Sequence, residues 1–414
     1  MKKHFFLLLL ACTLGNANAQ DFWQQLTPIP GNSTKVMCLA TNSKGHIFTG
    51  VSSYPTDGVF RSIDGGQSWE QVLKTGAQGS SRPVYSITIN EADHIYISGS
   101  GNNSLMRSED DGETWENIQT PVNGWFYQIL CIGLDTIYGC SGDPNGWDPA
   151  VYRTYDRGAN WDVLPIYPEV TYTNEEARDI VISSDGVLYV GTLSYNNYYK
   201  GGLYRSYDQG DTWEHIAPEV DFIEHLAINS KDDIFIASAG IGFCVLRAGA
   251  TTVETFPDII YIPYDVVVDY ADHVYVKSLN MYVSYDDGIA FENMENVGIL
   301  RFHTGKDNFL YSYSYNHNRI YRSTLPMLSI EEQPKTKFNL NFYPNPARDN
   351  LTIYSTEIKE NTTVSVYDLL GKKLFETMMR NENQVVDISM LQAGIYMLKA
   401  QTSNQTFTSK FIKY

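Results

Sequence analysis

Aromatic and amide side chains crowd five short, turn-rich stretches of this chain. They are Ser52-Ser53-Tyr54-Pro55, Asn123-Gly124-Trp125-Phe126-Tyr127, Gly142-Asp143-Pro144-Asn145-Gly146-Trp147-Asp148, Ser194-Tyr195-Asn196-Asn197-Tyr198-Tyr199-Lys200 and Tyr313-Ser314-Tyr315-Asn316-His317-Asn318. Flat apolar rings with hydrogen-bonding groups between them suit a sugar ring or a peptide chain, because they bury area at little entropic cost. Tyr54, Trp125, Tyr127, Asp143, Trp147, Tyr195, Tyr198, Tyr199 and Tyr315 are therefore the candidate ligand-binding residues. The same enrichment also fits ordinary loops of a protein with 30 Tyr among 414 residues. Covalent chemistry finds less support. No serine or cysteine nucleophile motif is present, and nothing nominates two carboxylates facing each other across a glycosidic bond. The cysteines make no C-x-x-C pair and the histidines no H-x-x-x-H pair, so no metal and no cofactor is expected. Asp110-Asp111 and Asp286-Asp287 lack the twelve-residue loop with a closing Glu that calcium needs, and read as turn residues.

The elements that position these stretches follow from a repeat. The phrase Ser/Thr-x-Asp-x-Gly-x-x-Trp occurs at Ser62–Trp69, Ser108–Trp115, Thr154–Trp161 and Ser206–Trp213, with a worn copy at Ser284–Phe291. Its first four aromatics are 46, 46 and 52 residues apart, and the next gap, 78, is two steps of 39. A period of 40 to 50 residues signals stacked supersecondary units. Upstream of each phrase, two alternating runs flank a polar turn, as in Val36–Ala40 and His46–Val51 around Asn42–Gly45. Period-2 alternation with Asn/Asp/Gly turns predicts antiparallel hairpins. A third run enters the phrase and a fourth leaves from its Trp, giving four strands per unit and seven units. Unit five has a shortened turn (Leu246–Gly249, resuming at Thr252). Unit seven stops at Ser323, and its missing fourth strand sits at the other end of the chain, where Phe22-Trp23-Gln24-Gln25-Leu26 repeats Ser68-Trp69-Glu70-Gln71-Val72. Pairing that strand with the last unit would close a circle and leave no open edge. The expectation is an all-β fold, a seven-bladed β-propeller over residues 21–325 closed by an N-terminal strand.

In each phrase Asp and Ser/Thr can bond nearby backbone, Gly can take a positive φ, and Trp can bury a face between sheets. With Ser62-Ile63-Asp64-Gly65-Gly66-Gln67-Ser68-Trp69 and its copies, the chain resembles the Asp-box (bacterial neuraminidase repeat) family. That resemblance implies structural roles, on the rim opposite the active face, for Asp64, Trp69, Asp110, Trp115, Asp156, Trp161, Asp208, Trp213, Asp286 and Phe291. It also raises a sialidase-like exo-glycosidase, since sialidases of this fold use an arginine triad. Arg82, Arg178 and Arg301 stand near the starts of first strands, with Glu175 and Glu176 just ahead of Arg178, and Arg178 joins the candidate ligand-binding residues. The family's Arg-Ile-Pro signature is missing; after Trp23 the chain reads Thr27-Pro28-Ile29-Pro30. A recognition module for a glycan or extracellular protein is the favoured expectation, with no catalytic residue assigned.

Composition bounds the setting. Met1-Lys2-Lys3, the apolar run Phe5–Leu14 and Ala17-Asn18-Ala19 read as a secretory signal over residues 1–19. Of the cysteines beyond it, Cys38, Cys131, Cys140 and Cys244 allow three full pairings, and they fit equally as small buried hydrophobes. Residues 21–330 hold 18 Lys+Arg against 39 Asp+Glu, whereas residues 331–414 hold 10 against 9. A domain so acidic repels nucleic acid and anionic membranes; no transmembrane segment is read, and a monomeric propeller is expected. Residues 326–339 form a polar linker around Glu331-Glu332-Gln333-Pro334. After it, short alternating strands predict a small β-sandwich over residues 340–414. With Tyr343-Pro344-Asn345-Pro346 and Gly394-Ile395-Tyr396, this tail resembles the type A sorting domain of the type IX secretion system. The resemblance implies a partnership with that machinery and a place outside a Gram-negative cell, tethered or released.

Overall fold

The fold is taken from a computed structural model. It describes residues 22–327 except 32–33, 53–56, 77–81, 100–104, 123, 143–147, 167–174, 195–200, 257–258, 260–261, 295–300 and 315, and residues 341–413 except 344–346, 355–361, 368–372, 380–382, 393 and 402–405. The chain divides into two compact units, Met1–Ser329 and Ile330–Tyr414.

Among the described residues the first unit consists of seven four-stranded antiparallel sheets. Six are built from four consecutive strands. Sheet one, for example, runs Lys35–Thr41, Ile47–Ser52, Gly58–Ser62 and Glu70–Lys74. The seventh contains Arg301–Thr304, Leu310–Tyr313 and Ile320–Ser323, and takes Trp23–Gln25 from the start of the chain as its outer strand. In that pairing Trp23 faces Ser323 and Gln24 faces Arg322. Trp23 is buried, its ring parallel to Phe302 at 6.4 Å.

The core is a ring of layers, one between each pair of neighbouring sheets. Phe48 and Val59 of sheet one meet Val84 and Ile95 of sheet two; Leu203 of sheet four meets Ile223 and Ile236 of sheet five. The last layer joins Tyr311 and Ile320 of sheet seven to Val36 and Ile47 of sheet one. Alternation along each strand supplies both layers at once, because successive side chains enter opposite faces. Such a ring of sheets is a β-propeller.

Each phrase forms one turn between third and fourth strands. In the first, Ser62 Oγ donates to Asp64 Oδ1 (2.8 Å) while accepting the Gly66 N–H, and Asp64 also accepts the Ser68 amide and hydroxyl at 2.9 and 2.6 Å. Gly66 has φ +87°, and a side chain there would meet Leu26. The residue before that glycine is also left-handed, with φ +65° at Asp111, +60° at Arg157 and +64° at Gln209, a strain the local hydrogen bonds hold in place. The closing aromatics Trp69, Trp115, Trp161, Trp213 and Phe291 are half-buried against the inter-sheet layers.

Arginines at the ends of three third strands, Arg61 and Arg153 before a phrase and Arg247 before the shortened turn, tie one sheet to the next. Arg61 donates to the Asp111 carbonyl and to Glu113, both at 2.7 Å, Arg153 to the Gln209 carbonyl at 2.9 Å, and Arg247 to the Asp287 carbonyl at 2.6 Å. Sheet five, whose turn is shortened, ends in a two-residue strand, Glu254–Thr255.

The second unit has two sheets: Asn341–Tyr343, Asn350–Tyr354 and Asn383–Asp387 in one; Thr362–Tyr367, Lys373–Met379, Gly394–Gln401 and Thr406–Lys413 in the other. Leu351 and Ile353 of the first sheet share one buried core with Val364, Val366, Leu398 and Phe411 of the second.

Candidate functional site

The first strands of the seven sheets surround the axis, and four of them break their alternation at one place. Register slips between Val36 and Cys38, Val84 and Ser86, Ala177 and Asp179, and Ile223 and His225. A bulge turns its extra residue away from the ladder. The residues so released are Met37, Tyr85, Arg178 and Glu224, and all four line a cavity of about 860 Å³. Sheet three does the same without a register slip between paired residues. There Tyr127 gives its N–H to the Cys140 carbonyl while Gln128 is the residue opposite Cys140, and both Tyr127 and Gln128 line the cavity.

One wall is aromatic. Tyr85 and Trp125 stack with centroids 4.9 Å apart, and Trp125 meets Tyr127 edge-on at 5.9 Å. All three rings are partly exposed. The adjoining wall is ionic. Arg178 lies over the Tyr127 ring at 4.3 Å, a cation–π contact, and its guanidinium stands 3.4 Å from Glu176 and 3.6 Å from Glu224. Arg301 stands 3.8 Å from the same Glu224 oxygen and 3.9 Å from Asp265, and donates to the Tyr264 carbonyl at 2.5 Å. Tyr127 donates its hydroxyl to Glu176.

Beneath them, His225 Nδ1 sits 3.3 Å from Asp179 and 3.4 Å from Asp265, carboxylates of the two flanking sheets. Each of these buried aspartates also crosses to the next sheet, Asp179 accepting the Leu226 N–H at 2.8 Å and Asp265 the Phe302 N–H at 2.6 Å. Burial pushes the Asp265 carboxyl above its usual range, with His225 and Arg301 partly opposing it. Burial pushes the His303 imidazole down to about 4, so it lines the cavity as a neutral ring.

Three of the sequence-nominated residues, Trp125, Tyr127 and Arg178, are thus brought together. Tyr54, Asp143, Trp147, Tyr195, Tyr198, Tyr199 and Tyr315 lie outside the described residues. Of the three arginines, Arg178 and Arg301 meet at Glu224, whereas Arg82 is not among the residues lining the cavity and offers its backbone N–H to Asp57 at 2.9 Å. Sequence reasoning missed Tyr85, Asp179, Glu224, His225 and Asp265. A signal existed: Val84-Tyr85-Ser86-Ile87, Ala177-Arg178-Asp179-Ile180 and Ile223-Glu224-His225-Leu226 each place two residues between core positions where a regular strand has one.

No group of three or more His, Cys, Asp or Glu side chains placed to hold a metal ion exists among the described residues. Among the described residues Cys38, Cys131, Cys140 and Cys244 are free thiols. Burial raises Cys38, Cys131 and Cys244 to about 12, which makes them packing groups without nucleophilic character at neutral pH.

Residues 16–298 match the photosynthesis system II assembly factor YCF48 family, two-thirds of the chain. The chain belongs to that family. Residues 341–414 match the secretion system C-terminal sorting domain, which marks the protein for export to the cell surface or the extracellular space. No helix among the described residues is long and apolar enough to cross a membrane. The family's propeller fold recurs in YCF48 bound to D1 peptide (14% identity, TM-score 0.55, 73% of this chain and 94% of that one). It recurs in virginiamycin B lyase from Staphylococcus aureus (13% identity, TM-score 0.57, 73% and 99%). Among curated proteins, a xyloglucanase from Paenibacillus sp is 24% identical over 243 residues, 48% of this chain and 23% of the relative. The chain spans about a quarter or less of the curated xyloglucanases it matches. At these identities the likeness to solved structures speaks for the fold.

Proposed function

We propose that this protein is a seven-bladed, Asp-box propeller, displayed outside the cell, whose cavity mouth recognises a glycan or an extracellular polypeptide. The observation that carries this is the pairing of a partly exposed aromatic wall, Tyr85–Trp125–Tyr127, with an adjoining hydrogen-bonding ionic wall in one cavity. An extended ligand can lay an apolar face on Trp125 while its polar edge reaches Gln128, Glu224 and Asn316, the few-polar-groups arrangement usual in ligand pockets. Domain boundaries near residues 21–325 and 340–414, and a small sandwich as the tail fold, belong to the same reading. The names of neighbours point to two ligand chemistries: YCF48 with a bound peptide and xyloglucanases that act on a glycan.

Recognition without turnover is favoured because both cavity arginines stand against carboxylates. A carbohydrate array and a peptide array probed with the purified full-length chain test the proposal. Trp125→Ala should weaken binding by about tenfold or more, roughly 1.4 kcal/mol, with the melting temperature little changed. Equal binding by that variant would move the site elsewhere. Hydrolysis of an aryl glycoside, abolished by Arg178→Ala, would replace recognition by an exo-glycosidase activity.

A further inference from the structure

Resting on that recognition reading, we infer that Glu224 sets the ligand class: it fills the anion position between Arg178 and Arg301, so the cavity takes a neutral glycan and refuses an acidic one. Two guanidinium groups from different sheets converge on one carboxylate oxygen, Glu224 Oε2, at 3.6 and 3.8 Å. Two arginines so placed would form a natural receptor for a ligand carboxylate or sulfate. Here the chain supplies the carboxylate itself. Both distances exceed the roughly 2.7–2.9 Å of a charge-assisted hydrogen bond, so Glu224 neutralises the pair without locking it. It is itself one of the bulge residues turned into the cavity.

The remaining charges act in the same direction. Lys35, Arg178 and Arg301 line the cavity against Asp179, Glu224 and Asp265, and Glu176 adds a further carboxylate beside Arg178. His225 is shared between the two buried aspartates. An acidic sugar would have to displace Glu224, and would then meet Lys35, Arg178 and Arg301 already matched by Asp179, Asp265 and Glu176. It would also approach a domain holding 39 acidic against 18 basic residues over 21–330, whose field repels polyanions before contact. A neutral sugar meets neither penalty. It stacks on Trp125 and Tyr85, and the ionic wall offers its hydroxyls donors and acceptors, Arg178 resting on the Tyr127 ring and Arg301 on the Tyr264 carbonyl.

The test uses the purified full-length chain in affinity gels and titration calorimetry with two neutral polysaccharides, xyloglucan and galactomannan, and two acidic ones, polygalacturonate and alginate, at low and high salt. The wild type should bind a neutral polymer with little salt dependence and ignore both acidic ones. Glu224→Gln preserves shape and removes the charge; it should raise acidic binding relative to neutral binding by about tenfold or more, the gain vanishing at high salt. A melting curve for the variant establishes that it is folded, and Glu224→Ala provides a second charge-free variant. Wild-type binding to an acidic polymer, or no gain in either variant while neutral binding persists, overturns the inference and leaves recognition standing. Binding of peptides alone also overturns it while leaving recognition standing. Binding to no probe of either array sinks both.

Discussion

Asp64, Asp156 and Asp208 sit on the surface yet hold their carboxyls at about 2, below the usual carboxylate range. The cause is local: in the fourth turn Asp208 accepts the Thr212 hydroxyl at 2.6 Å, the Thr212 N–H at 2.9 Å and the Ser206 hydroxyl at 2.8 Å. Hydrogen bonds to the charged form favour ionisation. Because the folded value is depressed, the stabilisation is fully present above the unfolded value, about 3.9, and drains away as pH falls toward about 2. Melting temperature should therefore drop through that window. Asp208→Asn should lower melting at neutral pH and flatten the acid limb, with variant and wild type converging near the bottom; parallel curves would remove Asp208 from this role. These roles were legible in the sequence, since Ser-x-Asp-x-Gly contains donor, acceptor and flexible residue within one turn. The left-handed backbone at Arg157 and Gln209 was not, because nothing in those residue types asks for a positive φ.

At the scale of strands, glycine sets how closely sheets approach. In Leu188–Ser194 a Cβ on Gly191 would lie 2.4 Å from Ile223 Cγ2 of the next sheet, and in Ile47–Ser52 one on Gly50 would lie 2.7 Å from Val84 Cγ1. Both neighbours are fully buried. Gly191→Ala forces a methyl into a packed layer and should destabilise by about 1–3 kcal/mol, read as a lower urea midpoint; an unchanged midpoint would mean that the layer can open. The strands themselves were readable from alternation, down to the stunted fourth strand of sheet five. Their bulges left only a trace, two residues between core positions where a regular strand has one. Which residue is released is a decision of pairing, and in Ala177-Arg178-Asp179 it is set once Thr192 and Gly191 stand opposite Ala177 and Asp179.

For the whole molecule, the decisive contact joins the two ends of the first unit. Trp23–Gln25 completes the sheet of Arg301–Thr304, Leu310–Tyr313 and Ile320–Ser323, and Trp23 packs with Phe302, Leu310 and Met327. Removing so large a buried ring, Trp23→Ala, should lower stability by about 3–5 kcal/mol, measured by chemical unfolding; a loss below about 1 kcal/mol would show that closure rests on the backbone pairing alone. The repeat period, the borrowed strand and the sorting tail were all fixed by sequence, because each is a local pattern that recurs or stands in order along the chain. Trp125 and Arg178 could be nominated on the same basis. That Glu224 lies between Arg178 and Arg301, and that His225 joins Asp179 to Asp265, was decided only in three dimensions. These residues come from four different sheets, up to 123 positions apart in sequence, and no one-dimensional pattern relates them; bending the sheets into a ring is what gathers their side chains at one axis.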